Sequence, residues 1–161
     1  MSHLVIYPVL LPLFAGVVLL LGAGWPLAWQ RAVGLTAAAA LVPLSLLLLG
    51  TTLDGGYGVY ALGDWPSPFA IVLVADRLSA TLVALTSVLA LFALLHASRG
   101  TDTEGRHFHA LFQFQLFGVE GAFLTGDLFN LFVFFEVLLI ASYTLLLHGG
   151  GRVRTRAAVH Y

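Results

Sequence analysis

The chain has no cysteine, one methionine and few charges: only 9% of its 161 residues are Asp, Glu, Lys or Arg. Without cysteine there is no disulfide, no thiolate metal site and no cysteine nucleophile. A soluble domain typically carries about a quarter charged residues, so this scarcity argues against a water-exposed globule. A net charge of −1 gives no reason to expect nucleic-acid binding. Lysine is absent too; all 7 basic side chains are arginine. With so much Ala, Leu and Gly, that reads as a compositional bias of the source. No Ser/His/Asp set, phosphate loop or metal-ligand spacing is present. Enzymatic chemistry, a cofactor and a bound metal are therefore not expected. His96, His107, His109 and His148 fall at the ends of apolar stretches, unlike the facing ligands a bis-histidine haem needs.

What fills the chain is hydrocarbon. Hydrophobic residues make up 60% and the mean hydropathy is +0.97. The sequence predicts an all-α, polytopic transmembrane bundle with about five spans, over 4–21, 32–49, 78–95, 108–124 and 128–147. The third span has room to start earlier, within 69–75. Pro8 and Pro12 fall in the first run and Pro43 in the second, where it is expected to bend the helix. Met1-Ser2-His3 has no basic n-region and a long run follows, so the first run reads as a retained helix. The fourth and fifth runs are joined only by Thr125, Gly126 and Asp127, which implies a tight antiparallel pair. Asp127 and Thr125 are expected to cap the fifth helix, and Asp76 with Arg77 to open the third.

Arginine placement sets an orientation. Arg31, Arg99, Arg106, Arg152, Arg154 and Arg156 fall in alternate loops, and only Arg77 departs. Those loops are expected in the cytoplasm, with the N-terminus outside and the C-terminus inside. Trp25, Trp29 and Trp65 fall near the expected interfaces. The loop 50–69 is then external. Its glycines and prolines mark turns, and Tyr57, Val59 and Tyr60 fit a short hairpin. Ala157 to Tyr161 look like the first turn of a sixth helix, so the chain reads as a fragment of something longer.

Glu136 is the main candidate functional residue. It sits near the middle of the fifth run, which is about 30 Å long as a helix. A charge at that depth costs roughly 2.5 kcal/mol or more and usually faces a partner or a water-filled path. Proton handling is the chemistry such a carboxyl suits. On the fourth run His109, Gln113 and Glu120 recur at i, i+4 and i+11, a polar stripe on one helix face. Glu120 and Glu136 differ in depth by about one turn, so a carboxyl pair or water-bridged relay is one reading of Glu120. A polar face packed on other helices is the other.

The stretch from Gly121 to Tyr143, with Gly126-Asp-Leu-Phe-Asn130 and Phe134-Phe-Glu136 at its heart, resembles the D-type subunit of the multisubunit Na⁺/H⁺ antiporters of the Mrp type. That protein is similar to the antiporter-like membrane subunits of respiratory complex I. Asp64-Trp-Pro-Ser-Pro-Phe69, Asp76-Arg-Leu-Ser79, His107 to Gln115 and His148-Gly-Gly-Gly-Arg152 support the resemblance. It implies a bacterial inner-membrane subunit of about fourteen helices, of which this chain would be the N-terminal third. It implies a proton-handling glutamate at Glu136, with a lysine of the charge relay on a later helix, outside this lysine-free chain. Glu120 departs from the family pattern, where a small or amide residue is more usual. The implied partners are the other antiporter subunits, membrane lipid, H⁺ and Na⁺ or another monovalent cation. Two rivals remain: a proton-pumping subunit of a complex I-like or membrane hydrogenase complex, and a non-conducting scaffold subunit.

Overall fold

The computed structural model describes residues 3–64 and 71–160. Trp65 and most of the 64–69 motif lie outside the described residues. After a short 3-10 turn at His3–Val5 come α1 (Tyr7–Leu21) and α2 (Leu27–Thr52). Strands β1 (Gly58–Ala61) and β2 (Val72–Ala75) follow, then α3 (Arg77–Ala97) and a 3-10 turn at Thr101–Thr103. The chain continues with α4 (Phe108–Leu124), α5 (Leu128–Leu146) and α6 (Arg152–His160). Three helices, α2, α3 and α5, are long and apolar enough to cross a membrane. The 15 residues of α1 are apolar but shorter, about 22 Å against a hydrocarbon layer of about 30 Å. The 17 residues of α4 include the buried polar side chains His109, Gln113 and Glu120.

Two expectations are corrected. The last helix starts at Arg152 and not at Ala157, so Arg152, Arg154 and Arg156 lie in α6 and not in a loop. Residues 72–75 do not extend the third helix; they form β2, paired antiparallel with β1 in the register Gly58↔Ala75 to Ala61↔Val72. A four-residue apolar run is ambiguous by periodicity, and Val72-Leu-Val suits a strand. What ends the strand is Asp76. Its side chain accepts from Ser79 N (2.7 Å) while its own N–H donates to Ser79 Oγ (2.9 Å), a reciprocal cap that starts α3. These bonds, the one from the Ser79 backbone foremost, hold the Asp76 carboxyl below the usual aspartate range.

Helix α4 is the centre of the bundle and packs against α1, α5, α3 and α2. It meets α5 closely because Gly118 and Gly121 have no side chains. A Cβ on Gly118 would stand 2.9 Å from the Leu138 backbone nitrogen, and one on Gly121 would enter the Phe134 ring. Near the hairpin the core is Val5, Val9, Leu48, Leu73, Val83 and Leu124; at the opposite end it is Ala38, Leu94, Ala97 and Phe108. Large apolar side chains such as Phe14, Leu47, Phe92, Phe132 and Ile140 point outward, as a hydrocarbon surround permits. Trp25 and Trp29 are exposed beside the start of α2.

Both ends of α4 are tied. At the hairpin end Gly126 N donates to Val72 O (2.7 Å), and Thr125 bridges Leu73. Asp127 caps α5 by accepting from Asn130 N at 2.8 Å. At the other end the α3–α4 loop grips α2, α4 and the end of α5.

Candidate functional site

The buried face of α4 runs His109, Gln113, Leu116, Glu120, Leu124, a spacing that keeps one helix face turned inward. His109 and Gln113 are each 1% exposed and Glu120 is 0% exposed. The polar stripe therefore faces the interior of the bundle.

At the loop end Asp102 is the hub. It sits in the 3-10 turn at Thr101–Thr103 and is buried. Arg31 of α2 reaches it with two parallel donors, Nε to Oδ2 at 2.6 Å and Nη2 to Oδ1 at 2.8 Å, the bidentate geometry that suits guanidinium and carboxylate. His109 Nε2 lies 3.0 Å from the same Oδ2. Hydrogen bonding from Arg31 holds the Asp102 carboxyl below the usual aspartate range, His109 adds to this, and burial opposes it. The carboxylate is thus a fixed negative charge at ordinary pH.

One glycine organises the next step. Gln113 Nε2 donates to the Gly34 carbonyl at 3.0 Å. A Cβ on Gly34 would stand 2.9 Å from His109 Nδ1, so the imidazole occupies the space that a side chain would take. Beyond Leu116, Glu120 is enclosed. Ser87 of α3 faces its carboxyl, but that hydroxyl donates to Val83 O at 2.7 Å. Neither Glu120 oxygen has a hydrogen-bond partner, and neither does His109 Nδ1.

Glu136 lies elsewhere. The buried residues of α5 are Asn130, Phe134 and Ala141, and Glu136, two positions after Phe134, is turned about 200° away from it. It is exposed on the outer face of α5. His109, Gln113 and Glu120 share one interior column, whereas Glu136 faces away from the α4 contact. Around the loop, His148 Nε2 lies 3.2 Å from Thr101 O. Arg154 Nη2 donates to Glu104 Oε2 at 2.5 Å, and its Nη1 to His148 O.

Sequence reasoning missed Asp102, Gly34 and Ser87, and it used Arg31 only for orientation. Asp102 lies in Thr101-Asp-Thr-Glu104, which reads as a solvated loop. Its partner Arg31 is 71 residues away in sequence, a separation that leaves no local signal.

No family model matches the chain. It is similar to a probable K⁺/H⁺ antiporter protein of Rhizobium meliloti, a D-type subunit, 49% identical over 166 residues, covering 100% of this chain and 31% of that protein. The D-type Na⁺/H⁺ antiporter subunit of Alkalihalophilus pseudofirmus is 41% identical over 163 residues, covering 100% and 33%. The chain thus spans about a third of the length of these curated relatives. Among solved structures, a chain of the Mrp complex from Dietzia sp. superposes with a TM-score of 0.86 at 28% identity, over 98% of this chain and 30% of that one. A chain of an archaeal membrane-bound sulfane sulfur reductase shares the fold, with a TM-score of 0.92 at 21% identity over 99% and 33%.

Proposed function

We propose, from the homology of the whole chain to about a third of a D-type cation/proton antiporter subunit, that it forms part of the membrane domain of such a subunit and that Glu136 is its proton-exchanging carboxyl. The observation that carries this is the position of Glu136, near the middle of the 19-residue apolar α5 and on its outward face. A carboxyl facing lipid at that depth is costly. Further helices, from the rest of such a subunit or from neighbouring subunits, are the natural cover for this face, and they supply the group that pairs with Glu136. The exchanged cation is monovalent: Na⁺ is our assignment, and K⁺ is its competitor because one relative is named for it. The chain performs no enzymatic chemistry of its own. It sits in a bacterial inner membrane with the Asp102 loop in the cytoplasm and the hairpin outside, following the arginine asymmetry.

The test is Glu136→Gln in the assembled complex. The amide keeps size and hydrogen bonding but cannot exchange a proton. Proton-coupled Na⁺ or K⁺ exchange in inverted vesicles is expected to be abolished with assembly intact. Near-normal exchange removes Glu136 from the mechanism. Co-purification of iron–sulfur subunits would instead favour the redox-driven reading that the shared fold of the sulfur reductase keeps open. Loss of assembly with no change in ion exchange would favour a scaffold.

A further inference from the structure

We propose that His109 is a proton-holding residue at the aqueous end of the α4 column, and that Asp102 is the positioning residue that orients it. The inference rests on the proton-exchange reading above and adds a second location to it. Three observations converge. First, the buried side-chain atoms without a hydrogen-bond partner, among the described residues, are His109 Nδ1 and the two oxygens of Glu120. All three lie on one face of one helix. An unpaired buried polar group is costly, and native proteins keep few of them. Their restriction to a base and a carboxyl on the same stripe is what a proton path would leave behind.

Second, the ring is held in one sense. Asp102, fixed as a carboxylate by Arg31, engages Nε2 at 3.0 Å. The carboxylate requires Nε2 to carry hydrogen, so Nδ1 is the free acceptor. Nδ1 points to the α2–α4 contact at Gly34, beside the Gln113 amide. Third, an open cavity of about 550 Å³ at the loop end, lined by Trp25, Gln30, Glu104 and Arg106 among others, reaches Asp102, the residue that holds the ring.

The step is a simple transfer. A hydronium O–H bond breaks, an N–H bond forms at Nδ1, and water is left. The imidazolium lies against the Asp102 carboxylate. On release the Nδ1–H bond breaks, the proton passes to Glu120 once that carboxyl has given up its own proton, and the ring returns to neutral. The distance from His109 to Glu120 along α4 is about 16 Å, with Gln113 and Ser87 as the polar groups on the way. The charged and titratable groups facing His109 are Arg31 from α2, Asp102 from the loop and His148 from the end of α5. Helix α1 carries no charged residue.

The experiment measures cation/proton exchange against pH in the complex carrying His109→Gln, Asp102→Asn and both together. Each single variant is expected to lose about tenfold in rate at alkaline pH, where protons are scarce, the loss shrinking as pH falls. The double variant should be no worse than either single, because both act on one step. A uniform loss at every pH, an unaltered profile or additive losses would overturn the proposal. Because Asp102→Asn weakens the Arg31 contact, a second measurement uses the unmutated protein: ¹⁵N-histidine NMR in lipid nanodiscs. His109 Nδ1 should gain and lose a proton while Nε2 stays protonated; a ring locked in one state across the working range would refute the idea. Glu136→Gln runs in parallel. If it retains exchange, the earlier reading fails whatever His109 does; if it abolishes exchange while the His109 and Asp102 variants keep the normal profile, only the present one fails.

Discussion

A methyl group at Gly118 has nowhere to go. The atoms it would meet are the Leu138 backbone nitrogen and Cα, 2.9 and 3.0 Å away, and backbone cannot swing aside as a side-chain tip can. Gly118→Ala must push α5 off α4, at a cost of about 1–3 kcal/mol. Gly50 is the control. It lies inside α2 with nothing within 4 Å of an added Cβ, so Gly50→Ala gains about 0.5–1 kcal/mol from a stiffer unfolded chain. Thermal unfolding in detergent should show the two variants moving in opposite directions. A Gly118→Ala variant as stable as the parent would mean that the α4–α5 contact is not the tight one. The sequence puts Gly118 inside an apolar run and Gly50 just past the end of one, and neither position shows how much room lies beside it. Only the neighbouring helix decides that.

At the level of elements, the Asp102 loop is the piece whose pH behaviour can be stated. Because the folded Asp102 carboxyl titrates below the usual aspartate range, its contribution to stability is complete above about pH 3.9 and is lost only as pH falls through the lower folded value. Amide exchange in the Thr101–Thr103 turn should stay slow from neutral to mildly acid pH and quicken only in strong acid. Quickening at mildly acid pH would show that Arg31 does not hold the carboxylate. The helices themselves were legible, since long apolar runs and short polar joints leave few choices; the Thr125-Gly-Asp127 joint and its aspartate cap could be read directly. The β2 strand could not, because its four apolar residues look the same entering a helix or a ladder. The α4 stripe was visible as spacing, but its inward direction was not, nor was the outward direction of Glu136. Both depend on which side of a helix the neighbours occupy.

For the whole molecule, the orientation is the measurable quantity, and the absence of cysteine makes it accessible. Asp54→Cys and Thr103→Cys place single thiols at exposed positions toward opposite ends of the bundle. A membrane-impermeant maleimide should label Asp54→Cys in intact spheroplasts and Thr103→Cys only in inverted vesicles; labelling of both from one side would refute the arrangement. The tie between Gly126 and Val72 has a consequence for biogenesis. A chain is inserted in order, and the outer edge of β2 is made long before the turn that covers it. Through the synthesis of α3 and α4 that edge offers unpaired carbonyls to any passing strand. Arg31 waits in the same way, entering the membrane boundary without its counter-charge until Asp102 leaves the ribosome. The nascent helices therefore spend an interval uncommitted, and the arrivals of Asp102 and Gly126, in that order, latch first one end of the bundle and then the other.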